Sequence, residues 1–148
     1  MPIVRNTKIF NLGLISLFGL ILLVLRIRIV SASDFTEGYQ ASSNLSVGTI
    51  VSVAKNSNSQ IEPTTPENDA RVIGVIAPAN SSIIDVQPKG SNIRVAISGD
   101  TDILVTDSGG NINKGDNLII SSLAGIAMRD KTDVNVSKYI AIAKQSFS

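Results

Sequence analysis

Hydrophobic and polar residues fall into two textures along this chain. From Ile9 to Leu25 runs IFNLGLISLFGLILLVL, seventeen residues without a charge. A helix through them rises about 25 Å, at roughly 1.5 Å per residue. A bilayer core is about 30 Å thick. The span becomes long enough when Arg26 and Arg28 snorkel and Ile27, Ile29 and Val30 are counted. The run lacks the polar face that a helix on the surface of a globular domain shows to water. The pattern predicts one N-terminal apolar helix within residues 1–32, with residues 9–30 in a lipid bilayer. Residues 33–44, SDFTEGYQASSN, are polar with no strong period and read as a stalk.

From Leu45 the texture changes to short β-branched runs broken by turn residues, which marks an all-β domain over 45–148. The expected strands are Thr49–Ala54, Arg71–Ala77, Ser82–Val86, Asn92–Ile97, Thr101–Thr106, Leu118–Ile120, Ala124–Met128 and Tyr139–Ala143. Only Asn92–Ile97 alternates cleanly, as a strand with one wet face should. Gly74 inside its run points to a bulge or a close backbone approach. The stretch KNSNSQIEPTTPEND, with Pro63 and Pro66, reads as a polar loop. Ser98–Asp100, Asp107–Asn111 and Lys114–Asn117 read as turns. About eight short strands with no helical period predict a small barrel or sandwich.

Charge sharpens the boundary. Four of the thirteen basic residues (Arg5, Lys8, Arg26, Arg28) and none of the twelve acids lie in the first 32 residues. That leaves nine bases against twelve acids beyond them, a net charge of −3. Arg5 and Lys8 hold the N-terminus on the cytoplasmic side, and Arg26 and Arg28 resist passage of the segment across the membrane. Arg26 and Arg28 favour a retained single-span anchor, and Arg5 and Lys8 set its orientation with the β-domain outside. Val30-Ser31-Ala32 also fits a signal-peptidase site, with cleavage before Ser33 and secretion of the domain. Both readings stand. The acidic balance and the absence of a basic cluster argue against nucleic acid as a partner.

Composition narrows the chemistry. The chain has no histidine and no cysteine, which excludes Ser-His-Asp triads, Cys-His dyads and histidine-ligated metals. Beyond the leader the only aromatic residues are Phe35, Tyr39, Tyr139 and Phe147, too few for a stacking platform. Asp100 and Asp102 form an i, i+2 carboxylate pair, more simply read as turn and surface residues. Asp107, Asn111, Asn113 and Asp116 gather in a Gly-rich segment, but their spacing fails the EF-hand pattern and suits hairpin turns. Lys114 lies close in sequence to Ser121 and Ser122; a Ser-Lys dyad needs that lysine buried and neutral, whereas turn lysines are solvated. Asn44, Asn80 and Asn135 head glycosylation sequons in an Asn/Ser/Thr-rich chain. Phe35 and Tyr39 suit either a membrane-interface role or packing against the base of the barrel. No catalytic, cofactor-binding or metal-ligating residue is assigned.

The stretch GNINKGDNLIISSLAGIAM, from Gly110 to Met128, resembles a G-x-I-x-x-G-D-x-L-x-x-S-S-x-x-G-x-A-M pattern of a small β-barrel domain found in phage tail-fibre and bacterial cell-surface proteins. Further landmarks follow the same order: Gly48 to Val51, Val72 to Val75, Val95 to Gly99, and Ile140 to Lys144. The chain departs from the pattern at Leu123-Ala124, where a polar residue and proline are usual, and the closing strand lacks its glycine. The resemblance implies a structural module in a fibre-like or surface assembly, with a homo-oligomer or another surface protein as partner. It implies no catalytic residues, and it gives the landmark glycines and Asp116 a role in the fold.

Overall fold

A computed structural model describes residues 33–79, 81–132 and 139–148. The apolar helix expected in the leader lies outside the described residues, as do Asn80 and Asn135. The described chain is all-β. Its nine strands are β1 (Ser33–Ala41), β2 (Ile50–Val53), β3 (Gln60–Pro63), β4 (Val72–Ile76), β5 (Ser82–Val86), β6 (Ile93–Gly99), β7 (Asn117–Ile120), β8 (Ala127–Arg129) and β9 (Ala141–Ile142).

The first six strands form one sheet in the order β3-β2-β4-β6-β1-β5, and β1 also pairs with β3. That extra pairing, parallel at Gln40 with Gln60 and Ala41 with Ile61, closes β3, β2, β4, β6 and β1 into a five-stranded barrel. β5 runs parallel to the first half of β1, with Ser33 opposite Ser82 and Phe35 opposite Ile84. It is the edge strand of the sheet. A second sheet, β8-β7-β9, is antiparallel throughout.

Two cores explain why the central runs do not alternate. Val51, Ile61, Ile76 and Val95 pack together with Tyr39, Ile73 and Ile93. Ile50 and Val75 face away from them, into a cluster with Ile112, Leu118, Ala127 and Ala143. β2 and β4 are thus buried on both faces, and strands of that kind read as continuous apolar runs. Backbone bonds join the layers: Ile50 N–H donates to Gly125 O at 2.9 Å, and Gly125 N–H to Thr64 O at 2.7 Å. Gly125 has φ +74, a conformation that glycine adopts at no steric cost.

Three expectations are corrected. Residues 33–41 are not a stalk but β1, a barrel strand paired with β3, β5 and β6. Its polar texture misled because the face that carries Thr36 and Gly38 is buried under polar neighbours. Thr36 is fully buried, with its hydroxyl 2.6 Å from Ser82 Oγ and 2.8 Å from Asp85 Oδ1. The proline-bearing loop contains β3. Pro63 is its last residue, and Thr64 N–H bonds Ile50 O at 2.9 Å. Ladder bonds alternate along an antiparallel pair, so the position of Pro63 needs no donor toward β2. Finally, Thr101–Thr106 is not a regular strand; it contributes one bridge, Val105 to Ala127. Gly74 meets its expectation twice, since the β2–β4 register shifts beside it and a Cβ there would collide with the carbonyl of Ala96.

Candidate functional site

A buried polar network sits where β2, β3 and the turn before β4 meet. Ser52 and Thr64 are fully buried and share a hydrogen bond of 2.8 Å. Ser52 Oγ also donates to Asn68 O at 3.1 Å. Asn68 closes its own turn by accepting from Thr65 N–H at 2.6 Å, and its amide donates to Glu62 Oε1 at 3.0 Å. Arg71 caps the network, bonding Val53 O at 3.0 Å and Glu62 Oε1 at 3.2 Å. Above it lies a shallow, open groove that Lys55, Glu67 and Ala124 help to line. The Thr65 hydroxyl holds the Glu67 carboxyl below its usual range. The buried members Ser52, Thr64 and Asn68 spend their side chains on one another, on Glu62 and on neighbouring backbone, which is a structural use.

The residues singled out in the sequence are dispersed. Asp100 is ion-paired with Lys144, and Asp102 is exposed. Asp116 accepts from Asn113 N–H at 2.8 Å and pairs with Arg129 at 3.1 Å, which ties up the Gly-rich turn. Asp107 accepts from Gly110 N–H at 2.6 Å through its carbonyl. Among the described residues no three His, Cys, Asp or Glu gather in a way that would hold a metal ion. Lys114 precedes β7 and Ser121 follows it, so the strand separates them. The Ser121 hydroxyl is buried and donates to Ile126 O at 2.8 Å. Ser122 and Asn44 are exposed.

Tyr39 takes the packing role. It joins the barrel core, and its hydroxyl donates to Glu37 Oε2 at 2.9 Å. Burial first, then the Glu37 carboxylate, pushes its pKa up to about 12. Phe35 lies half-buried on β1.

The surface feature that sequence reading missed is the β5 edge. Ile83 is 78% exposed, Ile84 55%, and Ile97 on neighbouring β6 41%. β6 is irregular there, with Ser98 opposite Phe35 and the register shifting on either side. Ile83 and Ile84 lie on opposite faces of this edge strand, so both of its faces are apolar near Ser33, which pairs with Ser82 and Gly99. The signal was present in the adjacent isoleucines of Ser82–Val86, which cannot both be buried in a strand covered on one face. Asp85 is the charged residue of that strand; it is exposed and paired, bonded to Arg94 at 2.9 Å and to Thr36. Among the described residues no helix is long and apolar enough to cross a membrane. In comparisons with protein-family models, curated proteins and solved structures, the chain matches none of them.

Proposed function

We propose that this chain is a membrane-anchored β-domain on the outer side of the cytoplasmic membrane, with a structural or interaction role and no catalysis. The observation that carries the reading is the charge-free run Ile9–Leu25, flanked by basic residues and followed at once by an acidic β-domain. Three of the candidates for chemistry support a structural role: Asp100 and Asp116 are spent on ion pairs and Ser121 on a turn. The Gly110–Met128 resemblance supports a place in a fibre-like or surface assembly. Protease treatment of intact cells tests the topology: the domain should be cut alongside a known surface protein, and protection would overturn the reading.

A second reading is release after Ala32 as a secreted subunit. It is favoured by Val30-Ser31-Ala32, which fits a signal-peptidase site with cleavage before Ser33. N-terminal sequencing of the protein purified from cells separates the two, giving either Ser33 or the start of the leader.

A further inference from the structure

We infer that β5 pairs antiparallel with β5 of a second copy of this chain, across a two-fold axis at Ile84. The inference rests on the interaction role proposed above, for which it names the partner, and it uses residues of the β-domain alone. Adjacent apolar residues mark strands covered on both faces in this fold, as Ile50-Val51 in β2 and Val75-Ile76 in β4 show. β5 repeats that pattern with Ile83-Ile84, yet Ile83 is 78% exposed, Ile84 55% and Val86 44%. Among the described residues β1 is its one hydrogen-bonded neighbour in the sheet. Other strand edges are closed, covered or short. The β3–β1 pairing closes the barrel, backbone bonds from Leu104 and Thr106 cover Ala127 of β8, and β9 has two residues. An edge that stays in water is ordinarily guarded by lysine, proline, a bulge or shortness. Ser82–Val86 is five residues long, in unbroken register with β1, and carries no lysine or proline. Its single charge, Asp85, is paired within its own sheet to Arg94.

The strand is its own complement. Opposed side chains of an antiparallel pair lie on the same face, and successive side chains lie on opposite faces. A two-fold pairing of one strand with itself therefore centres on a residue, never between two. Centred on Ile84, it matches all five residues: Ser82 with Val86, Ile83 with Asp85, and Ile84 with its own copy. Centred on Asp85, it would set two carboxylates opposite each other, which is destabilising. In the Ile84 register each Asp85 lies across from an isoleucine and keeps its bond to Arg94. The Ile84 pair and the flanking Val86 residues extend one apolar face, and Ile83 extends the other. A strand added in the plane of the sheet borders both faces at once, whereas a surface laid on one face covers only that face. A second β5 also offers the open row of N–H and C=O groups a partner of equal length. Asp100 lies beyond β6, two strands in from this edge, and is paired with Lys144. An interface of one strand pair is small, so the dimer belongs to the weak, reversible class.

The absence of cysteine allows cross-linking from single sites. Full-length protein carrying Ile84→Cys, Ile83→Cys or Ile142→Cys is purified in detergent and oxidised with copper phenanthroline. Residues opposite each other have Cβ atoms about 4.5–5.5 Å apart, whereas diagonal neighbours are about 7–8 Å apart, beyond disulfide reach. The expected result is a disulfide-linked dimer at 84, several-fold less at 83, and background at 142, which is exposed on the second sheet. Ile84→Lys sets two ammonium groups on the axis. It should convert dimer to monomer in sedimentation while the thermal midpoint stays near that of the parent. Equal cross-linking at 84 and 142, or none at 84, overturns the pairing. So does a dimer that survives Ile84→Lys, and so does capture of Ile84→Cys by a different protein in cells. These outcomes leave the anchor reading intact. Protease protection of the domain in intact cells, with cross-linking at 84 retained, overturns the anchor reading and leaves the pairing intact.

Discussion

Ile50 and Val51, neighbours in β2, are both fully excluded from water and belong to different hydrophobic cores. One strand therefore carries both the barrel interior and the layer beneath the second sheet. Ile50→Ala should cost about 2–5 kcal/mol, because the cavity lies between two packed layers that cannot easily collapse. Urea unfolding checks it. The sheet joined through Ile50 should melt together with the barrel in one transition, and two separated transitions would show that the layers are independent.

Gly74 lies where β4 shifts register against β2, and its missing Cβ leaves room for the carbonyl of Ala96 and a methyl of Val95. Gly74→Ala should destabilise by about 1–3 kcal/mol or more, since backbone must move to accept it. A thermal midpoint within error of the parent would contradict the close approach.

Asn68 closes its own stretch through Thr65 and Glu62 and ties it to Ser52 of β2. Replacing it with alanine leaves buried partners unsatisfied and should cost about 1–3 kcal/mol. Glu62→Gln should cost less, because an amide oxygen still accepts from Asn68. Chemical denaturation of the two variants gives the order.

Burial and the Glu37 carboxylate raise Tyr39 from 10.0 to about 12. A raised folded value means that the stability is fully present below the unfolded value of 10.0 and is lost as pH rises from there toward about 12. Alkaline unfolding should therefore begin above the ordinary tyrosine range, together with the appearance of phenolate absorbance. Tyr39→Phe should remove that component and leave the loss shallower.

Asp85 is held below its ordinary value of 3.8, first by Arg94, then by Gln87 and Thr36. Asp130 is lowered too, first by the backbone N–H of Thr132 and then by its hydroxyl. Both contributions are present above the ordinary carboxylate value and are lost as pH falls through the lower folded values. Thermal midpoints taken between pH about 5 and about 2 should fall, and Asp85→Asn should flatten part of the fall. An unchanged pH profile in that variant would show that the ion pair with Arg94 does not contribute.

Most of the strands were legible because β-branched runs and turn residues mark them locally. Ser82–Val86 was delimited by sequence alone, and the β4 and β6 regions differ only at their ends. What escaped depends on partners distant in sequence. β1 reads as polar because Thr36 is buried against Ser82 and Asp85, polar groups that no local window contains. β3 is hidden by Pro63, tolerated because the amide at that place has no bond to make. The buried network at Ser52, Thr64 and Asn68 had no signal in a chain rich in such residues. The turn roles of Asp116 and its neighbours were legible, because glycine beside Asn and Asp has few other uses.

The first strand of the barrel is also the one whose partners come last. Gln40 waits for Gln60, and Ser33 for Ser82 and Gly99. A chain that emerges N-terminus first cannot seat β1 until β6 has followed it, so closure of the barrel is a late, non-local event. Such topologies fold in roughly milliseconds to seconds rather than microseconds. Until that moment the start of the domain stays unpaired, with its backbone donors and acceptors open to any competing strand.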